Sequence, residues 1–186
     1  MANSDTPMGF KARRHALGGL IRANAYKIAS AYGTAIYNGD AVILASGKVN
    51  IAASNSAVIL GIFAGCSFTD SNGTNIPFSP YWPAAQVTKG SVDAIAYVYD
   101  DPGIIFEVQT DTDTAYVDAT HKGGSYDVEL DHAGSTMTGQ SGMELDLNDA
   151  SDTQFLVLGL INRPDNAAGV NAKIEVKMRK SLLNAA

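Results

Sequence analysis

Cysteine occurs once in this sequence, as Cys66. An internal disulfide is therefore excluded, and so is a cysteine-based zinc site. Tryptophan also occurs once, and the three histidines His15, His121 and His132 lie far apart, without the spacing of a metal pair such as HExxH. No GxSxG nucleophile elbow, P-loop or dinucleotide fingerprint is present. The expectation is a protein that is not an enzyme and that holds no metal or cofactor. No apolar run reaches the roughly 18 residues of a membrane span, so no membrane partner is expected. The opening MANSDTPMGFKARRH lacks the apolar core of a secretory signal. Charged residues are few, at 17%, which argues against long solvated helices.

What is present suits short strands and tight turns. Hydrophobic residues make up 46% of the 186 residues, enough for a sizeable core in one domain. The stretch from Gly39 to Phe68 organises the rest. It reads as three apolar runs separated by Ser-Gly and Ser/Asn turns, which predicts a three-stranded meander at the centre of a β-rich core. Cys66 follows one of those runs and reads as a small buried hydrophobe.

Strand signals continue on both sides. Tyr26 to Ser30 and Thr34 to Tyr37 precede an Asn38-Gly39 turn. Asp70 to Gly73 is a turn signal, and the Asn72-Gly73-Thr74 sequon within it is read only as a loop. Val92 to Tyr99 alternates, with Ala94, Ala96 and Val98 on one face and Ile95, Tyr97 and Tyr99 on the other. Asp100-Asp101-Pro102-Gly103 then predicts a hairpin turn to Ile104–Gln109, with Gly103 supplying positive φ. Gln154–Asn162 and Ala172–Met178 close the core. Gly61 and Gly159 each interrupt an apolar strand, where a bulge or a close backbone approach is expected. The similarity of their surroundings suggests two equivalent strands of one barrel-like sheet. The expected fold is mainly β: a compact barrel, tulip or sandwich body over residues 28–186, with an extended N-terminal arm over 1–27.

Residues 110–153 are acidic and glycine-punctuated, and read as short strands (Tyr116–Ala119, Ser125–Leu130, Met143–Leu147) in a region that can protrude as a subdomain. Asp127, Glu129 and Asp131 alternate there, with Asp111, Asp113 and Asp118 nearby. The calcium-loop pattern is absent, and a solvated strand face is the reading.

The net charge of −6 conceals an asymmetry. Residues 1–27 carry Lys11, Arg13, Arg14, Arg22 and Lys27 against Asp5 alone. Arg163, Lys173, Lys177, Arg179 and Lys180 crowd the far end. Basic ends on an acidic body suggest a docking side and a solvent side. Nucleic acid is not the expected partner, because the basic stretches lack interleaved aromatics and the body would repel phosphate. Phe78 to Pro83 (FSPYWP) is stiff and aromatic. Its Trp82 reads as a cap on one end of the barrel, an anchor at a protein interface, or a ligand platform. The candidate interface comprises Phe10, Lys11, Arg13, Arg14, Leu20, Ile21 and Arg22 of the arm, with Tyr81 and Trp82.

The opening MANSDTPMGF, followed by RRH and GGLIRANAY, resembles a family of tailed-bacteriophage head decoration, or capsid cement, proteins. GDAVIL, VILGIFAGCSF, FSPYWP, AYVYDDP with IFEVQ, and LGLINRPDN with NAKIEV extend the resemblance over nearly the whole chain. It implies a structural virion protein on the capsid exterior, assembled in the host cytoplasm. The partners it implies are the major capsid protein and further copies of itself, as a homotrimer or, second, a dimer. It assigns no individual binding residue. A host-surface or glycan-binding head appendage is the alternative, and a hydrolase on a β scaffold the third reading.

Overall fold

The computed structural model describes residues 3–53, 56, 58–130 and 132–184. The chain is mainly β, as its alternating short runs require. Its first half contains β1 (Lys11–His15), β2 (Asn24–Ile28), β3 (Ile36–Tyr37), β4 (Ala41–Ala45), β5 (Lys48–Ile51), β6 (Gly61–Thr69), β7 (Asn75–Ser79) and β8 (Tyr81–Trp82). After these come β9 (Ala94–Tyr99), β10 (Ile104–Gln109), the single helical turn α1 (Asp118–His121), β11 (Ser125–Glu129), β12 (Glu144–Asp146), β13 (Phe155–Leu160) and β14 (Lys173–Met178).

The strands form two large antiparallel sheets and a small ribbon. The first sheet runs β1-β10-β14-β13-β11-β12, and the second β2-β9-β6-β4-β5 with β7 also on β6. The ribbon pairs β3 with β8. The second sheet curls until its outer strands β2 and β5 lie side by side. The Tyr32 hydroxyl accepts from Ile51 N at 3.1 Å beside this seam. No strand ladder joins β2 to β5 among the described residues, so the barrel is not closed.

Two apolar cores follow from this layering. The first includes Phe106, Val108, Phe155, Val157, Ile174 and Val176 from the first sheet and Ala41 and Ile62 from the second. The second core lies across the second sheet and holds Val42, Phe63, Cys66, Ala96, Val98 and Trp82. Successive residues of β4 and β6 thus enter different cores, as a period of two demands. Phe63 and Cys66, three apart, nevertheless share a core. The register of β6 against β9 shifts between Phe63 and Gly65, and Gly65 has φ +138°. This bulge inserts one residue and restores the inward face. Gly159 does the same in β13, at φ +146° between Val157 and Leu160. Gly61 instead permits close approach: a Cβ there would lie 2.3 Å from the Tyr99 carbonyl oxygen. Both glycine expectations therefore hold, but the two strands belong to different sheets and are not equivalent.

Three further expectations change. The Gly39–Phe68 strands do not run as a sequential meander, because β6 pairs with β4 and leaves β5 at the edge. The Asp100–Gly103 turn does not close a hairpin, because it carries the chain from β9 in the second sheet to β10 in the first. Asp101 Oδ1 accepts from Gly103 N at 2.7 Å, but Gly103 has no positive φ and packs against His15. Tyr116–Ala119 is not a strand: Val117 O accepts from His121 N, starting one helical turn.

The segment expected as an arm is built into both sheets. β1 pairs with β10, and β2 with β9. Since β1 precedes β2 and β9 precedes β10, the two pairs form one long antiparallel ribbon, bent at a corner from one sheet into the other. The acidic region is equally integrated. β11 and β12 lie in the first sheet, and Val128, Met143 and Leu145 lie in the first core. Asp127 is not on a solvated face but fully buried. Its carboxylate accepts from Asp152 N at 2.7 Å and Gln154 N at 2.9 Å, which satisfies a turn that would otherwise bury bare donors. Asp131 lies outside the described residues.

Asp40 is a second buried carboxylate, and its Oδ2 accepts from Tyr37 N at 2.7 Å. Burial pushes its carboxyl up to about 6, although hydrogen bonds from Ser141 and Tyr37 oppose the rise. The folded state then holds a proton that the unfolded chain has released between pH 4 and 6. Its contribution to stability is complete below about pH 4 and is lost as pH rises through about 6. We expect Asp40→Asn, which keeps an acceptor for Tyr37, to exceed the parent by up to about 3 kcal/mol at pH 7.5 and to lose that advantage by pH 4. Guanidinium unfolding across this range measures it, and a pH-independent difference would refute it.

Candidate functional site

The corner of the bent ribbon presents two exposed leucines on an ordered turn. The turn 16–23 joins β1 to β2 there, and it is held at several points. Ala16 N donates to Gly103 O at 2.8 Å. His15 Nδ1 accepts from Leu17 N at 3.2 Å and from Gly19 N at 3.1 Å. That leaves the ring proton on Nε2, which donates to Asp101 Oδ2 at 3.2 Å. Gly18 takes φ +75°, a backbone open to glycine at little cost. On the β2 side, Asn24 Nδ2 and the Tyr26 hydroxyl both donate to the buried Asp100 carboxylate, at 2.8 and 2.6 Å.

This fixed backbone holds Leu17 and Leu20 outward, at 90% and 79% exposure. Ile21 turns inward and packs against the first core, while Arg22 is exposed. Two leucines held in water on an ordered turn are a stronger interface signal than scattered apolar residues on a surface. Leu17 is absent from the sequence-derived candidates. Its signal is symmetric placement with Leu20 about the Gly18-Gly19 pair.

The basic residues of β1 divide into two groups. Glu107 and Glu175 lie directly opposite each other on β10 and β14, an unfavourable like-charge pair. Arg13 reaches both, at 3.8 and 3.5 Å. Arg14 meets Glu175 at 2.7 Å, and Arg163 meets Glu107 at 2.7 Å. The basic ends of the chain are therefore brought onto one sheet face, where much of their charge is used internally. Among the described residues Lys11 and Arg22 form no ion pair, so their charge remains available. β1 is also an edge strand, and its basic side chains and the bulge at Arg13 oppose indiscriminate strand addition.

Two of the candidate interface residues lie in the interior. Phe10 stacks on Phe155 at 4.4 Å and is 2% exposed. Trp82 is fully buried beside Phe68 in the second core. The β3–β8 ribbon that carries Trp82 also contributes Ile36 to that core, which favours the capping reading and leaves its indole no contact with solvent. Tyr81 is half-buried and stacks on Tyr37 at 5.6 Å, on the ribbon rather than at the corner.

Cys66 is enclosed, and burial pushes its thiol up to about 12. An open recess of about 370 Å³ between the end of β6 and the connection that precedes β9 is lined by Ser67, Thr69, Thr88, Lys89, Asp93 and neighbours, with no histidine or cysteine. No protein-family model, curated protein or solved structure matches the chain.

Proposed function

We propose that the chain is a decoration protein of a tailed-phage head, which binds the capsid exterior and stabilises the lattice of the major capsid protein. The observation that carries this reading is the pinned 16–23 turn, with Leu17 and Leu20 held in solvent beside the unpaired charge of Arg22. The sequence resemblance, which extends over nearly the whole chain, supports it. Two well-cored sheets supply a rigid base for such a contact. Binding would stabilise the expanded shell by mass action, since the ligand prefers that lattice to its alternatives. A homotrimer, with a dimer as the second choice, would multiply modest contacts into avidity of on the order of 10²–10⁴.

The test mixes purified protein with expanded capsids lacking it, followed by sedimentation and a heat-stability measurement. Saturable occupancy and a raised capsid melting temperature are expected. Leu17→Ser with Leu20→Ser should weaken binding at least tenfold, because each truncated anchor costs on the order of 1 kcal/mol or more. Both side chains are exposed, so the fold should persist. Failure to bind capsids would overturn the reading.

One observation favours the glycan-binding alternative. Phe78 is exposed and stacks on Tyr97 at 6.5 Å, giving an aromatic surface where Trp82 gives none. Specific signals on a glycan array, lost in Phe78→Ala, would select that function.

A further inference from the structure

A second cluster lies away from the corner, where the N-terminal segment crosses the first sheet. Asp5 comes from that segment, His132 from the connection after β11, and Glu144 from the start of β12. One nitrogen or oxygen from each lies within 4.8 Å of the others. His132 Nδ1 is 2.9 Å from Glu144 Oε2, and Nε2 is 3.8 Å from Asp5 Oδ2. Gln109 ties the segment down nearby: its Oε1 accepts from Thr6 N at 3.3 Å and its Nε2 donates to Asp5 Oδ1 at 3.4 Å.

We propose that Asp5, His132 and Glu144 form a binding site for a divalent transition-metal ion of the zinc class, which clasps the N-terminal segment to the β11–β12 connection.

The donor set fits such an ion: one imidazole and two carboxylates match zinc-like ions, whereas calcium and magnesium prefer oxygen alone. Ligands in a tetrahedral zinc site sit about 3.3 Å apart, given bonds of about 2.0–2.1 Å. The Asp5 and His132 side chains are 43% and 40% exposed, so both can turn to close the remaining gap. Glu144 is fixed, with its side chain 2% exposed.

An independent observation points to a cation. Glu144 Oε1, the oxygen not facing His132, is buried and has no hydrogen-bond partner. Asp111 Oδ1 is likewise buried and unpartnered, and its charge acts on Glu144. Native proteins seldom leave such acceptors bare, because each costs about 1–3 kcal/mol, more when charged. His132 is one partner for two nearby carboxylates, with Asp111 adding a third negative group. A divalent ion would supply the partner that these buried oxygens lack.

The experiment uses the untagged full chain after chelator treatment. Cobalt(II) reports on coordination through its visible absorption, and zinc is then titrated calorimetrically against it. One ion per chain is expected, with zinc displacing cobalt and magnesium failing to do so. Zinc should slow amide exchange over residues 3–10. Asp5→Asn and His132→Ala, both at partly exposed positions, should each weaken zinc binding at least tenfold while leaving the far-ultraviolet spectrum unchanged. Glu144→Gln should abolish binding, but as a buried change it is interpreted only if that spectrum is retained. Absence of stoichiometric binding would overturn the proposal and leave His132 as a bridge between two acids. Binding unaffected by Asp5→Asn and His132→Ala would overturn it equally. The outcome is independent of whether the protein binds capsids.

Discussion

Phe10→Ala is expected to lower the free energy of unfolding by about 3–5 kcal/mol. The Phe10 ring is 2% exposed and stacks on Phe155 at 4.4 Å, and it belongs to the core shared by the two sheets. Its backbone N–H donates to Gly39 O at 2.9 Å, so the main chain stays in place and little collapse into the vacated space can follow. The loss is a large share of the roughly 5–15 kcal/mol that holds a typical domain together. Trp82 provides the probe, since its fluorescence follows guanidinium unfolding without a label. Phe10→Leu should recover most of the loss. A Phe10 reserved for a partner would behave as a surface site and change stability by less than about 0.5 kcal/mol.

Trp82→Ala should cost a similar amount, about 3–5 kcal/mol, for a different reason. Its ring fills the open side of the second core, edge-on to Phe68 at 5.3 Å, and its Nε1–H donates to Tyr32 O at 3.4 Å. The substitution removes the largest side chain of that core and leaves one carbonyl without its donor. Circular dichroism must follow this unfolding, because the intrinsic fluorophore is lost. Trp82→Phe should retain part of the packing and fall between the two. Unchanged stability with lost capsid or glycan binding would return Trp82 to an interface role.

Strand positions were legible where one face is buried and the other wet. β14 shows this plainly: Ile174, Val176 and Met178 face the core while Lys173, Glu175 and Lys177 alternate with them. Pairing was less legible, because turn residues encode a reversal and not the neighbour that follows. Asp100 to Gly103 forms its turn whether β10 returns to β9 or leaves for the other sheet. Phe10 is a lone aromatic between Gly9 and a basic run, and its burial depends on Phe155, far along the chain. Arg13 and Arg14 read as free charge until the β1-β10-β14 register sets Glu107 beside Glu175. Asp5, His132 and Glu144 carry no spacing signal, since three separate segments supply them. Leu20 was legible, with Ile21, as an apolar candidate for an interface. Leu17 needed the His15-held turn to show that it, too, points outward.

The place of β14 bears on how the molecule is made. This strand, among the latest in sequence, lies between β10 and β13 in the middle of the first sheet. Until the ribosome has delivered Lys173–Met178, β1-β10 and β13-β11-β12 are fragments with unpaired inner edges and a half-covered core. Pairings this distant in sequence make for folding on the millisecond-to-second scale rather than in microseconds. A growing chain therefore carries an exposed β10 edge from the completion of that strand until β14 follows, and the central gap closes only when this late strand arrives.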